Sequence, residues 1–65
     1  MPAHFSGESD ENGKIDVNKK YIQDVFIYNA KTFERINPKT IDLEKGEIVI
    51  DQVYCDVEVD FNYCY

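Results

Sequence analysis

Asp56, Glu58 and Asp60 stand at alternate positions in the stretch from Val53 to Tyr65. Successive side chains of a strand point to opposite faces, so these three carboxylates would share one face. Their spacing along the strand would be about 6.6–6.8 Å. Such a ladder is a fixed negative field, and the chemistry open to it is attraction of basic protein surfaces. Its spacing roughly matches that of phosphates along a nucleic-acid strand, so it could occupy a groove that another protein uses for nucleic acid. A hard cation is not expected there, because a row of carboxylates lacks the converging carbonyl oxygens such ions use. Val53, Cys55, Val57, Val59, Phe61, Tyr63 and Tyr65 take the opposite, apolar face in this alternation. Tyr54 falls on the acidic face. Tyrosine joins a large contact area to a polar tip and is enriched at binding hot spots. The expected partner-binding set is therefore Asp56, Glu58, Asp60, Tyr54 and Tyr63.

Other reactive residues are few. His4 is the single histidine. Ser6 and Ser9 have no neighbouring base and lie in no nucleophile turn. Cys55 and Cys64 lack a CxxC spacing and a flanking cation that would lower a thiol pKa. Two cysteines and one histidine are too few soft ligands for a structural zinc site within one chain. No glycine-rich phosphate loop is present. The expectation is a protein that is not an enzyme, with no catalytic residue, no metal and no cofactor.

The run Glu8, Asp10, Asn12, Gly13, Ile15, Asp16 resembles part of the EF-hand calcium loop. Gly13 would take the sixth loop position, with Asp10 and Asn12 at the third and fifth, Ile15 at the eighth and Asp16 at the ninth. Two positions depart from that family. Glu8 stands where it has Asp at the first position, and Lys19 stands at the twelfth, where a bidentate Glu is needed. A cation cannot supply that carboxylate. Asn12-Gly13 is also a strong turn dipeptide, so a polar turn is the expectation here.

Charge is unevenly distributed over the 65 residues, whose formal net charge is −6. Residues 1–13 hold three acids and no Lys or Arg, residues 14–45 hold all seven bases, and residues 46–65 hold five acids and no Lys or Arg. A negative chain repels nucleic acid and anionic lipid, so direct binding to either is not expected. No apolar run approaches the roughly 20 residues that span a bilayer. The first residues show neither the basic nor the apolar region of a signal peptide. Cys55 and Cys64 would lie about 30 Å apart on one straight strand, beyond disulfide reach. Free thiols belong to a reducing compartment, so a cytoplasmic location is expected.

The elements that must position these residues are a tail, a helix and strands. Residues 1–13, with Pro2, Gly7 and Asn12-Gly13, read as a flexible acidic N-terminal tail, and residues 14–65 as one small domain. Over residues 18–36, Tyr21, Ile22, Val25, Phe26, Ala30, Phe33 and Ile36 fall on one half of a helical wheel. Ile27, Lys19 and Asn29 sit on the wrong side of it. The competing reading is a hairpin, since Tyr21 to Tyr28 is rich in strand-preferring types. Thr40–Leu43 and Glu47–Ile50 flank Glu44-Lys45-Gly46, a hairpin signal. The apolar phase changes between Ile50 and Val53, which a bulge or corner at Asp51-Gln52 would produce. The expected fold is α+β, one amphipathic helix packed on a small antiparallel sheet; the alternative is an all-β meander or small barrel. Its core would hold Ile22, Val25, Phe26, Phe33, Ile36, Ile48, Ile50, Val57, Val59 and Phe61.

Function follows from the acidic face. The expectation is a protein-binding inhibitor or regulator that docks a basic partner through the ladder, with a nucleic-acid-binding protein as one such partner. Small acidic proteins of phage or mobile elements resemble it in size and charge. The alternative is an assembly subunit that forms a homo-oligomer through its strands.

Overall fold

The computed structural model describes residues 1–64, so Tyr65 lies outside the described residues. It is all-β. Six strands run in chain order: β1 (Pro2–Glu8), β2 (Lys14–Asp16), β3 (Ile22–Asn29), β4 (Thr40–Asp42), β5 (Glu47–Val49) and β6 (Asp56–Tyr63). They form two antiparallel three-stranded sheets, ordered β1-β6-β3 and β2-β5-β4. The apolar sides of the two sheets meet in one core. Ile15, Ile48 and Ile50 come from the second sheet and its exit; Ile22, Ile27, Val57, Val59 and Phe61 come from the first. Val17 and Ile36 complete the buried set, and Ala3 and Phe5 of β1 pack against it.

The helix expected over residues 18–36 does not form, and the α+β fold is corrected to all-β. The cause is a bulge. Gln23 pairs with Asn62 and Phe26 with Asp60, so Asp24 and Val25 together oppose Phe61 alone. Asp24 takes a positive φ of 54° to make the kink. A bulge whose first residue takes left-handed backbone resets the alternation by one residue. Ile22, Val25 and Ile27 therefore all turn inward, and their uneven spacing imitates a helical stripe. Ile27, which the helical wheel placed on the wrong side, is 1 % exposed in the core. Phe26 and Phe33, expected in the core, are exposed instead.

Residues 1–13, expected as a tail, contain β1, which pairs with β6 along its whole length. Its inward residues are Ala3, Phe5 and Gly7, and its outward ones His4, Ser6 and Glu8. Ser9 then fastens the exit. Its side chain is buried, its hydroxyl donates to Gln52 O at 2.8 Å, and it accepts the Cys55 N–H at 3.0 Å.

The hairpin around Gly46 is present as β4–β5. Asp42 O accepts the Gly46 N–H at 2.8 Å and Asp42 Oδ1 accepts the Lys45 N–H at 3.1 Å. Gly46 closes the loop at φ +71°, and a Cβ there would collide with Lys19 O. The chain then leaves the second sheet after Val49 and enters the first at Asp56, turning through the Asp51–Gln52 region. Regular strand begins at Asp56 rather than Val53, with Tyr54 at φ 49° in the bend before it.

Candidate functional site

β6 is the central strand of the first sheet, not an edge, and this decides what surrounds its carboxylates. In register, His4 lies opposite Asp60, Ser6 opposite Glu58 and Glu8 opposite Asp56 on the β1 side. Phe26 lies opposite Asp60 and Tyr28 opposite Glu58 on the β3 side. Paired residues point to the same face, so the outer face of the sheet is a polar row between a His/Ser/Glu row and an aromatic row. Val57, Val59 and Phe61 fill the inner face, which is what forces Asp56, Glu58 and Asp60 outward.

His4 bridges two carboxylates. Its Nδ1 lies 2.6 Å from Asp60 Oδ1 and its Nε2 lies 3.3 Å from Glu58 Oε1. Both ring nitrogens can donate only in the imidazolium form. The hydrogen bonds to Asp60 and then to Glu58 accordingly raise the His4 pKa above its ordinary value. Glu58 is held below its ordinary value by the facing Ser6 hydroxyl, with His4 adding to the effect. Its Oε1 serves His4, while Oε2 is shielded from solvent and lacks a well-formed hydrogen bond. Tyr28 is pushed up by desolvation and then by the nearby charges of Asp60 and Glu58. Lys31 Nζ stands 3.8 Å from Asp56.

An aromatic ridge runs along the β3 side. The Phe26 and Tyr28 rings are 5.7 Å apart, and Tyr28 and Phe33 6.4 Å apart. Arg35 stacks its guanidinium over the Phe26 ring at 5.1 Å. Phe33 is 74 % exposed and sits at φ 62°, its N–H bonded to Asn29 O. Left-handed backbone disfavours a bulky residue, and exposure leaves its ring in water. Neither folding term therefore calls for an aromatic at this position.

The remaining sequence-selected residues lie elsewhere. Tyr54 is exposed in the bend ahead of β6, off the acidic face. Tyr63 is half-buried on the inward side beside Phe61, with Lys19 Nζ 4.9 Å from its ring centre. Sequence reasoning missed His4, Ser6, Phe26, Tyr28, Phe33 and Arg35. The alternation of His4 and Ser6 within residues 2–8 was the available signal for two of them. Asp10, Asn12 and Gly13, which resemble a calcium loop, form the turn between β1 and β2. Asp10 Oδ1 accepts the N–H groups of Lys14 and Asn12, each at 2.8 Å, and these bonds lower its pKa. Its carboxylate is thus engaged by backbone. Among the described residues there is no pocket and no cluster of His, Cys, Asp and Glu arranged to hold a metal ion. Cys55 and Cys64 are free thiols, the first half-buried and the second exposed.

No protein-family model, no curated protein and no solved structure matches this chain.

Proposed function

We propose that this protein is a non-enzymatic binding module, an inhibitor or regulator whose outer sheet face docks a basic segment of another protein. The observation that carries this reading is the placement of Asp56, Glu58 and Asp60 beside a ridge of exposed Phe26, half-buried Tyr28 and exposed Phe33. Carboxylates attract a cation and fix its register, and ring faces then stack it. Arginine suits both at once, because its planar guanidinium binds carboxylate in a fork and stacks on aromatics. Arg35 over Phe26 illustrates the second contact within the chain itself. The nucleic-acid-mimic form of this reading has weaker support. Lys31 and Arg35 place two cations on or beside the same face, and the His4 imidazole, whose charged form Asp60 and Glu58 favour, adds to them in blunting its field.

A nona-arginine peptide, titrated into isotope-labelled protein, tests the reading. Amide shifts should concentrate on Phe26, Tyr28, Glu58 and Asp60. Combining Asp56→Asn, Glu58→Gln and Asp60→Asn should weaken binding at least about tenfold and flatten its salt dependence. Phe33→Ala should weaken it further. Shifts spread evenly over all acidic residues, or an affinity indifferent to these substitutions, would reject the site. A second reading, as an assembly subunit, draws on a different feature, the open edge of β1.

A further inference from the structure

The first sheet has two edges of unlike character. β1 exchanges backbone bonds with β6 at odd positions: Met1 and Tyr63 bond in both directions, and Ser9 N–H reaches Cys55 O. Antiparallel ladders alternate, so Ala3, Phe5 and Gly7 continue that set. The even residues therefore aim their N–H and C=O groups away from the sheet. These are His4, Ser6 and Glu8, together with the carbonyl of Pro2. No described strand pairs with this side of β1.

The opposite edge is closed. β3 carries the Asp24–Val25 bulge, and its outward groups are engaged: Ile22 N–H by Leu43 O, Asn29 N–H by Glu34 O and Ile27 O by Ile36 N–H. The edges of the second sheet, β2 and β4, are each three residues long. Short length, bulges and cover are the devices by which sheets avoid adding strands. The seven residues of β1 carry none of these and no lysine; proline and charge, two other such devices, appear only at its ends, as Pro2 and Glu8.

We infer that β1 is the docking edge for a second copy of this chain, whose own β1 adds antiparallel about a two-fold axis through Ser6. The sequence around Ser6 fits itself in this register. Ser6 meets Ser6 of the second copy, His4 meets Glu8, and Phe5 meets Gly7. An imidazole thus faces a carboxylate twice, and a large side chain faces a residue with none twice. Hydrogen bonds to Asp60 and Glu58 raise the His4 pKa and so favour its charged form. The exposed Glu8 side chain stands on the same face at the other end of β1. All outward N–H groups of β1 are used, giving about six intermolecular backbone bonds. A two-residue slip one way would place Pro2, which has no N–H, against Glu8 and both His4 side chains against Ser6; the slip the other way would set His4 against Asp10, whose N–H and carboxylate are already engaged in the turn. A slip of one would turn each polar row onto the apolar face.

The result is a six-stranded sheet, β3-β6-β1 continued by β1-β6-β3. The two-fold axis stands perpendicular to the sheet, so both acidic ladders lie on one side. They are separated by three strand spacings, about 14 Å. The backbone pairing of the two β1 edges does not involve the acidic face, although His4 shares Asp60 and Glu58 with it.

Sedimentation equilibrium of the full chain, with amide hydrogen exchange at rising concentration, tests this. The expected result is a monomer–dimer equilibrium in which exchange at His4, Ser6 and Glu8 slows at least about tenfold as dimer forms. Ser6→Pro should abolish the dimer yet leave the monomer folded, because the Ser6 N–H takes no part in pairing with β6. Ser6→Ala, which keeps the N–H, should dimerise as the wild type does. Glu8→Lys, which sets like charges against each other, should weaken the dimer about tenfold and needs no backbone change. A chain that stays monomeric to about 1 mM in dilute buffer overturns the proposal. So does a dimer whose His4, Ser6 and Glu8 amides exchange as fast as in the monomer, or one that Ser6→Pro and Glu8→Lys leave unchanged.

Discussion

Ser9→Ala is the sharpest test of how the N-terminal stretch is built in. The Ser9 side chain is buried, and its hydroxyl satisfies two backbone groups, Gln52 O at 2.8 Å and Cys55 N–H at 3.0 Å. Alanine leaves both without a partner in a part-buried setting. Each orphaned group costs about 1–3 kcal/mol, and partial exposure places both near the lower end, so the loss is about 2–3 kcal/mol. A chain of this length has a total stability of about 3–10 kcal/mol. The substitution should therefore remove a large fraction of it. At about 4–8 °C per kcal/mol for small domains, the thermal midpoint should fall by about 10–20 °C. Circular dichroism with heating, checked by urea titration, reads this directly. Glu11→Ala, on an exposed neighbour, should stay within about 0.5 kcal/mol of wild type. A Ser9→Ala variant that also stays within about 0.5 kcal/mol would show that the stretch is held by nothing at this point, and the reasoning would fail.

Three further outcomes are expected. Gly46→Ala should destabilise by more than the roughly 1 kcal/mol of ordinary positive-φ strain, because its Cβ would collide with Lys19 O; chemical denaturation measures it. Ile27→Asp should unfold the domain, since Ile27 is 1 % exposed in the core, and native dispersion of its amide spectrum would contradict the bulged strand. The His4 imidazole should titrate above 6.5 by NMR, and Asp60→Asn should bring it down. The sign follows from its raised folded-state pKa: the stability that His4 contributes is complete below about pH 6.5 and disappears as pH rises through the folded value. Glu58, lowered in the fold, acts in the opposite sense, and its contribution is lost as pH falls through its folded pKa.

The parts of this fold written plainly in the sequence are those where period two runs unbroken. Val57, Val59 and Phe61 alternate with Asp56, Glu58 and Asp60, and the structure buries the first three and turns the others outward. The hairpin closed by Gly46 is legible because the left-handed corner needs glycine. β3 is obscured by its bulge, which displaces Ile22, Val25 and Ile27 from simple alternation. β1 does alternate, but Ala3 and Gly7 on its inward side present little apolar surface, so the pattern carries almost no hydrophobic contrast. Its order comes from pairing with a strand far away in the chain, which no local window contains. The acidic ladder was legible, but not its company: His4 and Ser6 arrive from β1, and Phe26 and Tyr28 arrive only once the bulge sets their phase.

The central place of β6 governs when this protein can fold during its synthesis. β1 and β3 are made early, yet neither pairs with the other, and both wait for the strand that emerges last of the six. Until it does, Phe5 and Ile27 have no sheet to close over them. The second sheet contains a local hairpin, β4–β5, and can begin by itself, whereas the first must close a loop spanning nearly the whole chain. Loop closure of that kind is slow, and sheet proteins rich in such pairings fold in milliseconds to seconds. Until β6 is available the edges of β1 and β3 stay unpaired, and the many carboxylates of the chain repel other copies during that interval.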